Sequence, residues 1–385
     1  MNAVSMTDSR SSRFLDYGLL LSMLFLLGLG IVMVASTSMG ISESKFGEPF
    51  HYLSRQLLFV VVGVFFAIAV FKLPLQLWQH IGFVLLLISV ALLIAVLIPD
   101  VGKTVNGSSR WLPMGPFNFQ VSEFVKLVVP IYMAGYLVRH AEEVRGSFSG
   151  FLKPMAILSV FGVLLLLEPD FGATVIILTT ALGMLFLSGV RFGQFFLLLV
   201  LIAAAMAMLA IFSPYRWERL TTFLNPWADP FDSGFQLTQA LIAFGQGEWF
   251  GVGLGGGVQK LFYLPEAHTD FLYATLAEEL GLMGSLLVIL LFGFIVWRAF
   301  DIGQRALRIK KVFEAHLAHG LGLWFGLQAF VNLGVNMGML PTKGLTLPLM
   351  SYGGSSLIVT CIAAALLLRI DYEVRGHVKK REQSG

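Results

Sequence analysis

Ten long runs of apolar residues, almost free of charge, divide the chain and constrain its fold more than any other feature. A helix needs ~20 mostly apolar residues to cross the hydrocarbon core of a bilayer. The runs lie near 15–35, 54–73, 79–98, 120–138, 152–168, 172–189, 193–212, 271–298, 315–336 and 353–369. Charged residues make up only 13% of the chain, against about 25% in soluble domains. The expected fold class is therefore an all-α polytopic membrane protein, with about ten transmembrane helices and a large structured outer loop at 213–270 between the seventh and eighth. Tails at 1–14 and 370–385 flank a membrane domain at 15–369. The first run is too long, and too far from a small-residue cleavage site, for a clear signal peptide.

Lysine and arginine set the expected orientation. With both termini in the cytoplasm, 17 of the 26 cationic residues fall on the inner side, as the positive-inside rule requires. A net charge of +3 gives no indication of nucleic-acid binding. One cysteine, Cys361, excludes an internal disulfide, a cysteine metal cluster and a redox pair. The 213–270 loop is no linker, because Trp217, Phe223, Trp227, Phe235, Trp249 and Phe250 are interleaved with charges and glycines. Long structured loops are usually functional.

The residues that could carry chemistry gather on this outer side. In Leu264-Pro265-Glu266-Ala267-His268-Thr269-Asp270-Phe271, Asp270 stands at the outer end of the eighth helix, where the dipole favours an ionised carboxylate. On spacing alone Thr269 or Asp270 reads first as an ordinary helix cap, the neighbouring His268 and Glu266 favour a general base, and Glu266 with Asp270 is a weakly specific divalent-metal candidate. Glu123 and Lys126 are three residues apart on one face of the fourth helix, either as a structural ion pair or facing a substrate cavity. Glu278 and Glu279 raise the same question, and at most one of them can share a face with Asp270. The glycine-rich stretch 245–257 lacks the GK[ST] ending of a nucleotide loop, so it is a flexible or tightly packed backbone, of the sort that lines a phosphate or sugar pocket. Residues 341–356, with Lys343 and Ser351, read as a re-entrant or broken-helix element. Arg110 beside Trp111 offers a cation at the outer interface. By physics alone this is a transporter or an enzyme acting on a lipid-linked substrate.

Several blocks together resemble the SEDS family of cell-wall polymerases. They are Arg216-Trp217-Glu218-Arg219, Phe223-Leu224-Asn225-Pro226-Trp227, Gly234-Phe235-Gln236-Leu237, the 264–271 block, Leu347-Pro348-Leu349-Met350-Ser351-Tyr352-Gly353-Gly354-Ser355-Ser356, Ser122-Glu123-Phe124 with Lys126, and Glu168-Pro169-Asp170-Phe171-Gly172. The likeness covers all but the first and last dozen residues and is greatest to the family's cell-division branch. It implies a peptidoglycan glycosyltransferase of the bacterial cytoplasmic membrane, located at the septum. Such an enzyme joins lipid II, an undecaprenyl-diphosphate disaccharide-pentapeptide, into β-1,4 glycan strands. It implies that Asp270 is the essential aspartate and that Glu123 and Lys126 line a central cavity. It also implies a class B penicillin-binding transpeptidase and divisome regulators as partners.

Inverting displacement of an α-linked diphosphate needs a base near the attacking hydroxyl and positive charge near the leaving group. Asp270 is the base candidate. Arg110, Arg216, Arg219, Lys260 and Lys343 are the outer cations available, with His268 beside the base and Mg²⁺ or Mn²⁺ as a further source of charge. A lipid II flippase and a non-catalytic scaffold for the transpeptidase are the rival functions.

Overall fold

A computed structural model of the chain describes residues 15–384, apart from 106–107, 116, 213–216, 218–221, 233, 262 and 343. The architecture is mostly helical. Helix α1 (Tyr17–Phe46) is capped by the Asp16 side chain, which accepts from the Leu19 amide at 3.1 Å, and ends at Gly47 in the left-handed region. Helices α2 (His51–Lys72) and α3 (Leu75–Leu97) follow, separated by a Pro74 that cannot continue a helix. After α4 (Val121–Arg139) come a short α5 (Ala141–Gly146), α6 (Phe148–Leu167), α7 (Phe171–Leu187) and α8 (Phe192–Ile211). The remaining helices are α9 (Phe235–Gly247), α10 (Leu272–Arg308), α11 (Val312–Asn336) and α12 (Gly354–Ser384).

Five of these, α1, α2, α3, α4 and α10, are long and apolar enough to cross a membrane. Stretches of α6 and α7 are apolar but shorter. Helix α4 runs through the centre against α3, α7 and α11, and almost every one of its side chains is buried. By contrast α2 turns Leu58, Val61, Phe65 and Ile68 outward, as a helix facing lipid does.

The structure corrects the all-helical expectation at 99–119. That loop folds into a three-stranded antiparallel sheet, β1 (Lys103–Val105), β2 (Ser108–Met114) and β3 (Phe117–Gln120), with Trp111 opposite Gln120. These strands are too short and polar to register against the apolar runs. A break that the sequence did not announce lies in α10, at Gly281 (φ 66°, ψ −165°). At 344–353 the chain is irregular, and α12 starts at Gly354. Far from Asp270 along α10, Arg298 pairs with Asp16 and with Asp301 (2.7 Å), and Arg305 and Arg375 meet the buried Asp371 at 3.1 and 2.7 Å. This network ties α1, α10 and α12 together at one end of the bundle.

Candidate functional site

The site lies at the other end, where the starts of α4, α7 and α10 meet the end of α11. Asp170 caps α7 through the Ala173 amide (3.1 Å) and accepts from the Ser122 hydroxyl (2.8 Å), which joins α7 to α4. Gln120 donates its amide to the Ser355 hydroxyl (2.9 Å), which brings the start of α12 alongside β3.

Asp270 closes the tight turn 264–271. The turn is held by Glu266 at φ 58°, whose carbonyl accepts from the Thr269 and Phe271 amides (both 3.1 Å). The capping expectation fails here: neither Thr269 nor Asp270 is the N-cap of α10. That position is Phe271, which offers no side-chain acceptor. A side chain from another helix supplies the cap. Asn336, in the last turn of α11, accepts from the Ala274 amide at 3.0 Å and donates to the Asp270 carbonyl at 2.9 Å. Asn332, one turn earlier, donates to the same carbonyl at 2.9 Å and also to the Leu345 carbonyl. The backbone of Asp270 is thereby fixed from two sides while its carboxylate carries no capping duty. That carboxylate lies against Gly344, where a Cβ would stand 2.7 Å from Oδ2.

Burial pushes the Asp270 carboxyl up to about 7. The negative charges of Glu266, Asp170 and Glu123 push the same way, and the Arg110 guanidinium opposes them. Arg110 is aimed by the turn before α7, donating to the Glu168 carbonyl (3.3 Å) and the Pro169 carbonyl (2.6 Å).

Glu123 and Lys126 form a buried ion pair at 2.8 Å, and Lys126 also donates to Gln328 Oε1 at 2.9 Å. Gln328 receives the Trp324 indole N–H (2.7 Å) and passes its own amide hydrogen to the Thr346 carbonyl (2.9 Å). Trp324, Gln328, Asn332 and Asn336 recur every four residues, so one face of α11 is a polar ladder. It runs from the ion pair to Asp270 and holds the irregular 344–346 backbone on the way. Ser351 accepts from the Leu347 amide (2.9 Å) and so braces that segment from within.

His268 is buried, with its ring centroid 4.7 Å from that of Tyr52 and 5.6 Å from that of Tyr352, and its carbonyl accepts the Tyr352 amide at 3.0 Å. Burial pulls its imidazole below the usual histidine range, so it is neutral at pH 7. Lys260 does not stand beside Asp270 as a free cation. It is buried, 2.6 Å from Glu279 and 2.8 Å from the Ser36 hydroxyl. Glu278 turns to the glycine-rich stretch and accepts the Val258 amide at 2.7 Å. Arg216, Arg219 and Lys343 lie outside the described residues. No group of three or more His, Cys, Asp or Glu side chains among the described residues is arranged to hold a metal, and the Glu266 carboxylate is bonded to the Thr269 hydroxyl at 2.6 Å.

Sequence reasoning missed Gln328, Asn332, Asn336 and Gly344. Amides at a four-residue spacing inside an apolar helix were the available signal, since a polar group in such a helix needs a partner.

Residues 17–376 match the model of the cell cycle protein family of FtsW, RodA and SpoVE. A probable peptidoglycan glycosyltransferase FtsW from Thioalkalivibrio sulfidiphilus is 58% identical over 94% of this chain and 91% of its own length. One from Nitrosococcus halophilus is 59% identical over 94% and 93%. Among solved structures, a chain from a peptidoglycan synthase complex that coordinates polymerization and crosslinking superposes with a TM-score of 0.76 at 29% identity, over 94% of this chain and 98% of that one. The rod shape determining protein RodA of Thermus thermophilus gives a TM-score of 0.67 at 25% identity, over 93% and 96%.

Proposed function

Because the chain belongs to the FtsW, RodA and SpoVE family of cell cycle proteins, we propose that it is a peptidoglycan glycosyltransferase that polymerises lipid II into β-1,4 glycan during septal wall synthesis. The relatives named as probable peptidoglycan glycosyltransferases align with it over more than nine-tenths of both chains. Helices α1–α4, α6–α8 and α10–α12 supply ten spans, with both termini cytoplasmic and the Asp270 end outside. The Arg298, Arg305 and Arg375 cluster at the opposite end fits the inner, cation-rich side.

The observation that carries the mechanism is the environment of Asp270: a carboxylate with a fixed backbone and no capping role, raised by burial to about 7. A general base works best with a pKa near the operating pH, and a positioned base contributes typically 10²–10⁴-fold. Asp270 takes the proton of the acceptor's 4-hydroxyl as that oxygen attacks C1 of the donor sugar. The C1–diphosphate bond breaks with inversion, and undecaprenyl diphosphate leaves with the electron pair. Arg110, held by the Glu168 and Pro169 carbonyls where its charge reaches Asp270, faces the negative charge that develops on the diphosphate. Arg216, Arg219 and Lys343 are further candidates for that role. Lys260 is committed to Glu279 and serves the architecture instead. A Mg²⁺ or Mn²⁺ ion would be held mainly by the substrate phosphates and water, with Asp270 and Glu266 as the nearest carboxylates. A class B penicillin-binding transpeptidase crosslinks the product, and divisome proteins regulate the pair.

A flippase needs charged groups along an open path through the bilayer. Here Glu123, Lys126, Glu278 and Glu279 are each engaged by a neighbour, which favours the polymerase. The test is labelled lipid II supplied in detergent, where no leaflet crossing is required, with the purified chain and its transpeptidase. Polymer is expected from the wild type and none from Asp270→Asn. Inner-leaflet lipid II becoming accessible, with no polymer under any condition, would establish the flippase instead. Polymerisation by Asp270→Asn at the wild-type rate would put the base elsewhere, and no polymer from the wild type with no leaflet exposure either would leave the chain a scaffold.

A further inference from the structure

The stretch 249–261 has properties that a loop in water does not have. Its single charge, Lys260, is turned inward onto Glu279. Facing outward are Trp249 and Phe250, 61% and 80% exposed, together with Val252, Leu254, Val258 and Leu261. In water these six neighbouring exposed apolar side chains would form an uncovered patch, the feature that marks an interaction surface.

The backbone of the stretch is largely satisfied from inside. The Val252 and Gly253 amides donate to the carbonyls of Glu278 and Glu279 (3.0 and 3.1 Å), on the turn of α10 broken by Gly281. In return the Leu282 and Met283 amides donate to the Glu248 and Trp249 carbonyls (2.9 and 3.1 Å). The Val258 and Gln259 amides both reach the Glu278 carboxylate, at 2.7 and 3.2 Å. Gly251 (φ 79°) and Gly257 allow this close approach: a Cβ on Gly251 would collide with the Glu279 carbonyl, and one on Gly257 would stand 2.9 Å from Glu278 Oε2. Inward charges, outward apolar side chains and paired backbone groups are what lipid demands of non-helical chain.

Depth along α10 identifies what covers the patch. From Leu280 to Trp297 the helix carries no charge, and Arg298 follows at once. At 1.5 Å per residue those 18 residues span about 27 Å, close to the ~30 Å hydrocarbon core. The 249–261 stretch is bonded to α10 between Glu278 and Met283, which is the outer edge of that uncharged window. Its exposed side chains continue the exposed face formed by Leu282, Met283 and Leu286 on α10. Trp249 at this edge and Trp297 at the other fall where interfacial aromatic residues belong.

We propose that residues 249–261 form a re-entrant element set into the outer leaflet, with the boundary between lipid headgroups and acyl chains as its partner, anchored to the break in α10 by Lys260, Glu278 and Glu279. It follows from the membrane-spanning fold and does not depend on the transferase chemistry. The full chain, reconstituted in phosphatidylcholine vesicles with or without brominated acyl chains, provides the test. Subtracting the emission of Trp249→Phe from that of the wild type isolates Trp249. Its signal should be roughly two-fold or more weaker in the brominated vesicles, as expected for an interfacial ring, and insensitive to aqueous iodide. Quenching by iodide and not by bromine would put the loop in water. Quenching by neither would show it covered by protein, such as a second copy. Either result overturns the proposal. As an independent check, Phe250→Cys in a Cys361→Ala background should resist a membrane-impermeant maleimide in intact vesicles and react once they are dissolved in denaturant. Reaction in intact vesicles would also overturn it.

Discussion

Replacing Lys126 by Met tests whether the buried ion pair is the root of the polar ladder. The lysine and Glu123 side chains are 0% and 6% exposed, and Lys126 is the only described donor to the Glu123 carboxylate, whose second oxygen is unpartnered among the described residues. Removing one partner of such a pair leaves an uncompensated buried charge, at about 3–5 kcal/mol. Gln328 also loses a donor, and through Gln328 the perturbation reaches the Thr346 carbonyl beside the site. Exchanging the two residues, Glu123→Lys with Lys126→Glu, keeps the charges three residues apart. It then obliges Gln328 to turn its amide round and give up both Thr346 and the Trp324 indole N–H, which costs about two hydrogen bonds, ~2 kcal/mol. Replacing both by Leu removes the desolvation problem and is expected to be close to neutral for stability. The assay is the apparent melting midpoint in detergent, followed by tryptophan emission, alongside lipid II polymerisation. Lys126→Met should fall by roughly 5 °C or more, the exchanged pair by less, and the double Leu variant least. All three should lose polymerisation to a greater extent than their melting suggests, because the Thr346 carbonyl or the buried Glu123–Lys126 charge pair is disturbed in each. A Lys126→Met protein that melts with the wild type and polymerises normally would refute both the burial argument and the link from α11 to the site.

Polymerisation should rise with pH through a midpoint near 7, because burial has raised Asp270 and the base acts only when ionised. Glu266→Gln should move that midpoint to lower pH by removing a nearby negative charge, and an unmoved midpoint would assign it to another group. Asn336→Ala breaks both the Ala274 cap and the Asp270 carbonyl bond; a loss of about 1–3 kcal/mol in stability, with kcat falling more than KM, is expected from unfolding curves and steady-state rates. Gly344→Ala should abolish polymerisation at near-normal expression, since its Cβ would displace the Asp270 carboxylate; normal rates would show that the carboxylate moves freely. Gly251→Ala should lower folding yield instead, because both its φ of 79° and the Glu279 carbonyl oppose a side chain.

The class of protein was legible from the apolar runs alone, because a bilayer imposes length and hydrophobicity on each helix irrespective of its neighbours. Helix ends were less legible: the first apolar run stops near 35, whereas α1 continues through polar residues to Phe46. Asp270, Glu123 and Lys126 stood out because charge beside or within an apolar run is conspicuous whatever the packing. The sheet at 103–120 was not legible, since its strands are short and pair only with one another. Lys260 looked like any outer cation until the fold set Glu279 beside it, and the adjacent acids Glu278 and Glu279 could be assigned to a glycine loop and a lysine only once α10 was seen to break at Gly281. The cap of α10 comes from Asn336, 62 residues along the chain from the Ala274 amide it accepts. Spacing fixes which residues share a face of one helix, but a hydrogen bond between distant segments exists only after the helices have packed, and that packing decided how Asp270 is held.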